Sequence, residues 1–287
     1  MPAPATDDLS VVRYAEGWGY SARQWQSALR QVDWVNPDAP RGAQRLKIRR
    51  DGDCRVWRAR LHLGEQEREV VLKVEPLSTF WALVRSWLGQ TRHTRQWRGA
   101  ELLMTRGFEV AHPLAIFRSG SAAARCEVLV VGWVEGRSAL EHLASGLSVK
   151  NEHGLARAVG GLFARFRHQG LVVRDPKPSN LIVTGWHPLR LALVDTVDVR
   201  RGEMDPLDIT KAYFEPTGVG LRPRRALIAR ALFALADGSA DSNAPPPHDR
   251  RTQVRSLWAR AEARVRRRGQ PIPEDHPLPA HRAGASI

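Results

Sequence analysis

The chain has 287 residues, and its 44 lysine and arginine residues outnumber 30 aspartate and glutamate residues, giving a formal net charge of +14. This length allows a core large enough for two lobes, and two isolated cysteines exclude a disulfide framework or a paired-cysteine metal site. The charge favours an anionic partner: a nucleotide, a nucleic acid, a phosphosugar or an acidic membrane surface. A solvated basic surface explains the charge equally well.

Residues 1–44 form an N-terminal extension in which tryptophans stand among polar residues. We expect it to pack against a surface that the sequence does not identify. The first residues lack the basic and apolar regions of a secretory signal, and no apolar run reaches the ~18 residues that span a bilayer. With the low cysteine content, these features indicate a cytoplasmic protein.

Residues 45–134 have the pattern of a small strand-rich lobe, since apolar and polar residues alternate and short β-branched runs are separated by polar turns. The helix in this lobe is indicated by apolar residues at helical spacing. The predicted elements are, in order, strands at 46–49, 55–63 and 70–74, a helix at 93–106, and strands at 112–117 and 127–134.

Residues 135–236 are predicted to form a mainly helical large lobe, so the fold class is α+β. One helix presents a single apolar face made of Leu155, Val159, Leu162, Phe163 and Phe166. Further elements are expected as short strands around 181–183 and 191–194 and helices near 206–216 and 223–236. Residues 237–249 have the composition of a linker, and residues 250–287 are expected to form a basic helix (250–268) and a disordered tail.

The strongest chemical signal is the pattern Asp-x-Lys-x-x-Asn at Asp175, Lys177 and Asn180, followed by Asp195 at the end of a short apolar run. Asp175 is placed to accept a proton from an attacking hydroxyl, and Lys177 to offset charge on a transferred phosphoryl group. Asn180 and Asp195 supply the oxygen ligands that magnesium needs beside nucleotide phosphates. Taken singly, each residue is also explained as a cap or turn residue.

Lys73 ends a β-branched strand in a chain that otherwise prefers arginine, and we expect it to bind nucleotide phosphates. Glu101, on the helix that follows, is expected to pair with Lys73 and orient it. A solvent-facing glutamate is the alternative.

These residues resemble the protein-kinase-like superfamily over about residues 45–236. Arg174-Asp175-x-Lys177-x-x-Asn180 is similar to its catalytic loop, residues 71–74 to its nucleotide-lysine strand, and Asp195 to its metal-binding aspartate. A basic, tryptophan-containing helix at 95–103, followed by Gly107 and a Pro-Leu-Ala strand, is closest to the bacterial lipopolysaccharide core kinases. Those enzymes phosphorylate heptose or 3-deoxy-manno-octulosonic acid.

Four features depart from the superfamily pattern. The loop around Gly52 lacks the glycine-rich motif, which leaves Gly52 and nearby arginines to approach the phosphates. Val173 replaces the histidine before Arg-Asp, and Thr196-Val197 replaces Phe-Gly. No Ala-Pro-Glu motif follows, which argues for an acceptor other than a protein.

The resemblance implies a two-lobed protein-kinase-like fold, ATP and Mg²⁺ as cofactors, and adenine binding near Trp133. The expected reaction is γ-phosphoryl transfer to a sugar hydroxyl of inner-core lipopolysaccharide, a glycolipid or saccharide acceptor, in the cytoplasm. The alternatives are a Ser/Thr-type protein kinase and a nucleotide-binding pseudokinase adaptor.

Two segments bear on contacts with other molecules. The apolar, aromatic residues 80–88 are flanked by arginines and suit peripheral contact with the inner face of the inner membrane, or an ordinary packed helix. The arginine-rich helix at 250–268 suits anionic lipid or a solvated face, and no aromatic-basic stacking module supports nucleic acid as a partner.

Overall fold

The computed structural model describes residues 9–14, 17–32, 43–48, 55–119, 125–221, 225–237 and 247–268. The chain divides into two compact units, Met1–Trp133 and Val134–Ile287. Gly52, most of the predicted linker (238–246) and the predicted tail (269–287) lie outside the described residues. None of the described helices is both long and apolar enough to cross a membrane.

Within its described residues, the first unit is built on an antiparallel sheet of seven strands in the order β1-β2-β6-β7-β5-β4-β3. The strands are β1 (Leu9–Tyr14), β2 (Gly17–Ala22), β3 (Gln44–Ile48), β4 (Arg55–Leu63), β5 (Gln66–Pro76), β6 (Pro113–Ser119) and β7 (Cys126–Gly132). The helices are α1 (Gln26–Leu29), α2 (Phe80–Trp87) and α3 (Arg92–Met104). The strands and the helix predicted between residues 45 and 134 are confirmed.

The N-terminal extension is part of this sheet. Strand β2 pairs with β6, and Gly19 lies opposite Phe117, where a Cβ atom would stand 2.1 Å from the Ile116 carbonyl oxygen. After β2, Trp25 and Leu29 are buried in the same apolar cluster as Leu72 of β5. The surface that the sequence left unidentified is therefore one face of the small unit's own sheet.

Alternation along β5 separates the two faces of the sheet. Val70, Leu72 and Val74 are almost fully buried in the cluster with α1. Residues at odd and even positions of a strand point to opposite faces, so Lys73 points away from that cluster, toward α3. The strand thus holds the Lys73 backbone rigidly and directs its side chain to the face of the sheet opposite the main apolar core.

The second unit is mainly helical, with short strands at its functional loops. The helices are α4 (Ala139–Ala144), α5 (Val149–His168), α6 (Lys211–Gly218), α7 (Arg225–Asp237) and α8 (Pro247–Arg267). The strands are β8 (Arg137–Ser138), β9 (Leu171–Val172), β10 (Leu181–Trp186), β11 (Leu189–Leu193) and β12 (Arg200–Arg201). Short 3₁₀ turns occupy Pro178–Asn180 and Pro206–Thr210.

Helix α5 forms the centre of this unit, and its predicted apolar face is confirmed because all five of its residues are buried. The helix crosses α7 so closely that a Cβ atom at Gly160 would lie 2.2 Å from the Ala231 carbonyl oxygen. Only glycine permits this backbone approach. The packed α5 in turn supports β9, the strand that leads into the predicted catalytic loop.

Helix α8 belongs to the second unit rather than standing free. Val254, Leu257, Ala261 and Val265 follow helical spacing and are buried, whereas most of its arginines are exposed. One arginine has a structural role: Arg264 lies 3.3 Å from Asp205 and 3.5 Å from Asp208, at the 3₁₀ turn before α6.

Candidate active site

Two chain segments of the second unit, 173–180 and 194–199, are held together at both ends. At one end, β9 pairs with β12, with Val172 opposite Arg200. At the other end, β10 pairs with β11, with Leu181 opposite Leu193. The predicted catalytic loop and the predicted metal-binding loop therefore run side by side.

Asn180 and Asp195 flank the same end of the β10–β11 hairpin. Asn180 immediately precedes β10, and Asp195 follows the last residue of β11 by two positions. The backbone amide of Val194 donates to the carbonyl oxygen of Asn180 at 3.1 Å and extends the ladder by one bond. Although fifteen positions separate them in the sequence, the hairpin places these two residues next to each other.

Asp175, the predicted base, and Lys177 lie beside Asn180. The Lys177 ammonium lies 3.1 Å from a carboxylate oxygen of Asp175, and the Asn180 side-chain amide donates to the Asp175 carbonyl oxygen at 3.0 Å. The Asp175 side chain is 53% exposed and that of Lys177 33%, so both are open to an incoming molecule. The structure thus brings together all four residues predicted in this unit.

The 3₁₀ turn that carries Asn180 is fixed by Glu215 of α6. The Ser179 backbone amide donates to Glu215 Oε2 at 2.7 Å, and the Ser179 hydroxyl donates to the other carboxylate oxygen. A carboxylate that accepts two hydrogen bonds from one residue restrains both its backbone and its side chain. Sequence reasoning missed Glu215, because nothing near it in the chain points to a partner 36 positions away.

Val173 and Arg174 show how the loop is supported where the sequence departs from the superfamily. Val173 is 1% exposed, so it packs as an apolar core residue. The Arg174 guanidinium lies 3.2 Å from Asp198, which adopts a left-handed backbone conformation with φ of 64°. Lys211 donates to the Arg174 carbonyl oxygen, so the residue before Asp175 is held from two sides.

The donor atoms of this cluster suit Mg²⁺. The nitrogen of the Asn180 side chain is used by the Asp175 carbonyl oxygen, which leaves its Oδ1 atom as the ligand atom, and Asp195 adds a carboxylate. Mg²⁺ prefers oxygen ligands and usually takes one or two carboxylates together with phosphate oxygens and water. Among the described residues, no group of three or more His, Cys, Asp or Glu side chains is placed to hold a metal.

In the first unit, Lys73 has a different partner from the one predicted. Its ammonium donates to Gln96 Oε1 of α3 at 3.0 Å. Glu101 instead accepts a hydrogen bond from the Trp97 indole at 2.7 Å. The predicted Lys73–Glu101 pair is therefore replaced by a pair of Lys73 with a neutral amide.

The helical repeat explains this correction. Gln96 and Glu101 are five positions apart, which places them about 140° apart around α3. The two side chains therefore leave the helix in different directions, and only that of Gln96 meets Lys73. Trp97 and Glu101, four positions apart, lie on one face and bond to each other.

Trp133, at the end of the small unit, is held by its backbone and by its ring. Its amide donates to the Glu69 carbonyl oxygen at 3.0 Å, and the Arg58 guanidinium lies 4.0 Å from the centre of its ring. Arg58 also binds the Glu69 carboxylate, and this hydrogen bond holds the pKa of Glu69 below its usual value. One face of the Trp133 ring is thus occupied by a cation.

His112 lies next to the strand end that leads to Trp133. The Gly132 amide donates to the His112 carbonyl oxygen at 2.8 Å. Burial lowers the pKa of the His112 imidazole below its usual 6.5, and the nearby Pro113 backbone and the charge of Glu101 oppose this shift only in part. A neutral imidazole is therefore the favoured form in the folded protein.

Comparisons with known proteins bear on the fold. No protein-family model matches the chain, and no curated protein matches its sequence. The fold is nevertheless shared. A solved structure of WaaP in complex with acyl carrier protein matches with a TM-score of 0.56 at 15% sequence identity. The match covers 86% of this chain and 97% of the other.

This similarity confirms the fold class, a two-lobed, protein-kinase-like α+β fold. At 15% identity this similarity shows the fold alone. Any assignment of chemistry therefore depends on the residues of this chain. Lys73, Glu101 and Trp133 lie in the first unit, and the Asp175 cluster lies in the second. That both groups serve one nucleotide stays a prediction.

Proposed function

We propose that this protein is an ATP-dependent kinase that transfers the γ-phosphoryl group to a sugar hydroxyl, with inner-core lipopolysaccharide as the acceptor. The observation that carries the proposal is the clustering of Asp175, Lys177 and Asn180 with Asp195 on two loops joined at both ends. Phosphoryl transfer depends mainly on positioning and on neutralising charge, which rigidly held loops provide.

Each residue has a distinct proposed role. Asp175 accepts the proton of the acceptor hydroxyl, and Lys177, already 3.1 Å from it, offsets charge on the phosphoryl group in transfer. Asn180 and Asp195 would hold Mg²⁺, which supplies positive charge beside the phosphates when bound. Lys73, oriented by Gln96, binds the phosphates of ATP, and the end of β7 at Trp133 receives the adenine.

The Asp175–Lys177 pair is suited to this division of roles because it is accessible. Exposed ion pairs contribute at most about 1 kcal/mol, so Lys177 can exchange Asp175 for a phosphoryl oxygen at small cost. The half-exposed carboxylate is also open to a bulky acceptor. A deeply buried base would not be.

A glycolipid acceptor is supported by four observations. The chain lacks the Ala-Pro-Glu element of peptide-binding kinases, and its net charge of +14 favours an anionic acceptor. The fold is shared with WaaP, a lipopolysaccharide core heptose kinase. The family-like segment at 95–115 forms most of α3, which carries Gln96, and the start of β6, which His112 directly precedes.

The test is to incubate the purified protein with γ-labelled ATP, Mg²⁺ and either deep-rough lipopolysaccharide or a generic peptide. We expect label in the glycolipid. Label in the peptide alone identifies a protein kinase and contradicts the proposed acceptor. ATP binding without transfer to either acceptor contradicts the proposed activity.

A second candidate is a nucleotide-binding pseudokinase that acts as an adaptor, and one observation favours it. In place of the Lys73–Glu101 ion pair of the superfamily, α3 offers Lys73 the neutral amide of Gln96, an uncharged acceptor. This candidate predicts ATP binding that is unchanged in Asp175→Asn and no phosphoryl transfer by the wild-type protein. The same assay separates the two candidates.

A further inference from the structure

Helix α2 and its C-cap residue Leu88 present four large apolar side chains to solvent, which we name the aromatic edge: Phe80, Trp81, Trp87 and Leu88. Their exposed fractions are 72%, 67%, 85% and 62%. Large apolar residues exposed singly are ordinary, but a contiguous group on one short helix marks an interaction surface. The packed helix that the sequence also allowed is therefore wrong for these side chains.

The aromatic edge forms one stripe of the helix. At 100° per residue, its four members fall within an arc of about 120°, with Trp87 and Trp81 at the two margins. Ser86 lies near the middle of the opposite side and is 1% exposed. The inward side thus carries Ser86 with the partly buried Ala82 and Leu83, whereas the largest apolar side chains face outward.

The inward side is fixed by a buried carboxylate. The Ser86 hydroxyl donates to Glu127 at 2.9 Å, and Arg118 donates both to Glu127, at 3.1 Å, and to the Ser86 carbonyl oxygen, at 2.6 Å. Thr91, the cap residue of α3, also donates to Glu127. These bonds prevent α2 from rotating to bury its aromatic residues, so the outward orientation is built into the fold.

The charged residues that neighbour the aromatic edge along the chain have one sign. Between Glu75 and Glu101 the sequence contains four arginines and no acidic residue. Of these, Arg85 follows the edge on α2 itself, and Arg95 and Arg98 are exposed on the adjacent α3. Tryptophan and phenylalanine beside arginine suit the boundary between lipid headgroups and acyl chains, where the rings are half-buried and the guanidinium groups meet phosphates.

We propose that the aromatic edge inserts into the surface of an anionic phospholipid bilayer, with the neighbouring arginines on the lipid phosphates. Burial of the four apolar side chains supplies the affinity, and the arginines supply the preference for anionic lipid. The contact is peripheral because α2 has only eight residues. It would hold a kinase beside a lipid-linked acceptor, but the inference depends on α2 rather than on the proposed catalysis.

The test is sedimentation of the full chain with phosphatidylcholine vesicles, made with and without phosphatidylglycerol and in the absence of ATP. The variant is Trp81→Ser/Trp87→Ser, and the matched control is Phe233→Ser, an exposed aromatic residue (44%) on α7. We expect wild type and control to bind the anionic vesicles and the double variant to bind about tenfold more weakly. Thermal unfolding should be unchanged, because both tryptophans are exposed.

Three results would overturn the proposal. The wild type does not bind anionic vesicles, the double variant binds them as tightly as the wild type, or the affinity is the same with and without phosphatidylglycerol. A fourth result would also overturn it: the wild type binds an acidic soluble protein but no vesicles, and the double variant does not bind that protein. The aromatic edge would then be assigned to a protein partner. Since no arm contains ATP or an acceptor sugar, the outcome is independent of the proposed phosphoryl transfer.

Discussion

The Gln96 side-chain oxygen lies 3.0 Å from the Lys73 ammonium, at the place where the sequence predicted the carboxylate of Glu101. A hydrogen bond to a charged group contributes roughly 1.5–3 kcal/mol, so Gln96 is sufficient to orient the lysine. The charge balance at this contact differs, however, because the Gln96 amide is neutral where the sequence predicted a carboxylate.

Replacing Gln96 by alanine should weaken ATP binding by about tenfold or more, since Lys73 loses the acceptor that α3 supplies. Gln96→Glu should keep the lysine in place and restore most of the affinity. Arg98→Ala, an exposed position on the same helix, is the control. Calorimetric titration with Mg²⁺·ATP measures the effect, and equal affinities for Gln96→Ala and wild type would show that Gln96 does not position Lys73.

Replacing Glu215 by alanine should lower kcat by about tenfold or more while leaving the affinity for ATP nearly unchanged. The carboxylate holds both polar groups of Ser179, next to Asn180, and small displacements of a catalytic loop cost up to about a hundredfold in rate. Steady-state kinetics with Glu203→Gln as the exposed control measures this effect. A fall in stability with no change in kcat would indicate a purely structural role.

Replacing Glu127 by alanine should reduce the free energy of unfolding by roughly 3–5 kcal/mol. Removing one partner of a buried ion pair takes the carboxylate from the other charge, here Arg118. The substitution also removes the acceptor of the Ser86 and Thr91 hydroxyls. Urea denaturation followed by tryptophan fluorescence measures the change. Glu65→Ala, at an exposed position, should change stability by less than about 0.5 kcal/mol, and a similar small value for Glu127→Ala would refute the anchoring role.

Stability should fall as the pH drops below about 6.5, in part because of His112. The pKa of this residue is lower in the folded protein than its usual 6.5, so between those two values the unfolded chain binds more protons. The His112 contribution is complete above pH 6.5 and is lost as the pH falls through the folded-state pKa. In His112→Asn this part of the pH dependence should disappear, and an unchanged slope would contradict the assignment.

Much of the fold follows from local pattern. Strands β4 and β5, helix α3 and the apolar face of α5 have clear periods in the sequence, and each lies within a few residues of its prediction. Strand β2 was missed because one of its partners is distant: it pairs with β6, about a hundred positions later. Pairing over that separation leaves no local signal, and the need for glycine at position 19 becomes clear only when Ile116 is beside it. Strand β1 was also missed, although it pairs with β2, its neighbour in the chain.

The residues of the candidate site could be predicted where they are close together in the sequence. They could not be predicted where their proximity depends on how helices pack. Asp175, Lys177 and Asn180 lie within one turn-rich segment, so their proximity follows from the sequence. The Lys73 partner depended on the rotation of α3 about its axis, which a single helix sequence leaves open. The role of Glu215 depended on how α6 packs, which no short motif records.

The central claim is that Asp175 is the base in a phosphoryl transfer supported by Asn180 and Asp195. The most direct measurement is single-turnover transfer from labelled ATP to deep-rough lipopolysaccharide by wild type, Asp175→Asn and Asp195→Asn. We predict that Asp175→Asn binds Mg²⁺·ATP normally but transfers phosphate about 10²–10⁴ times more slowly, and that Asp195→Asn loses both. Transfer by Asp175→Asn at the wild-type rate would contradict the account.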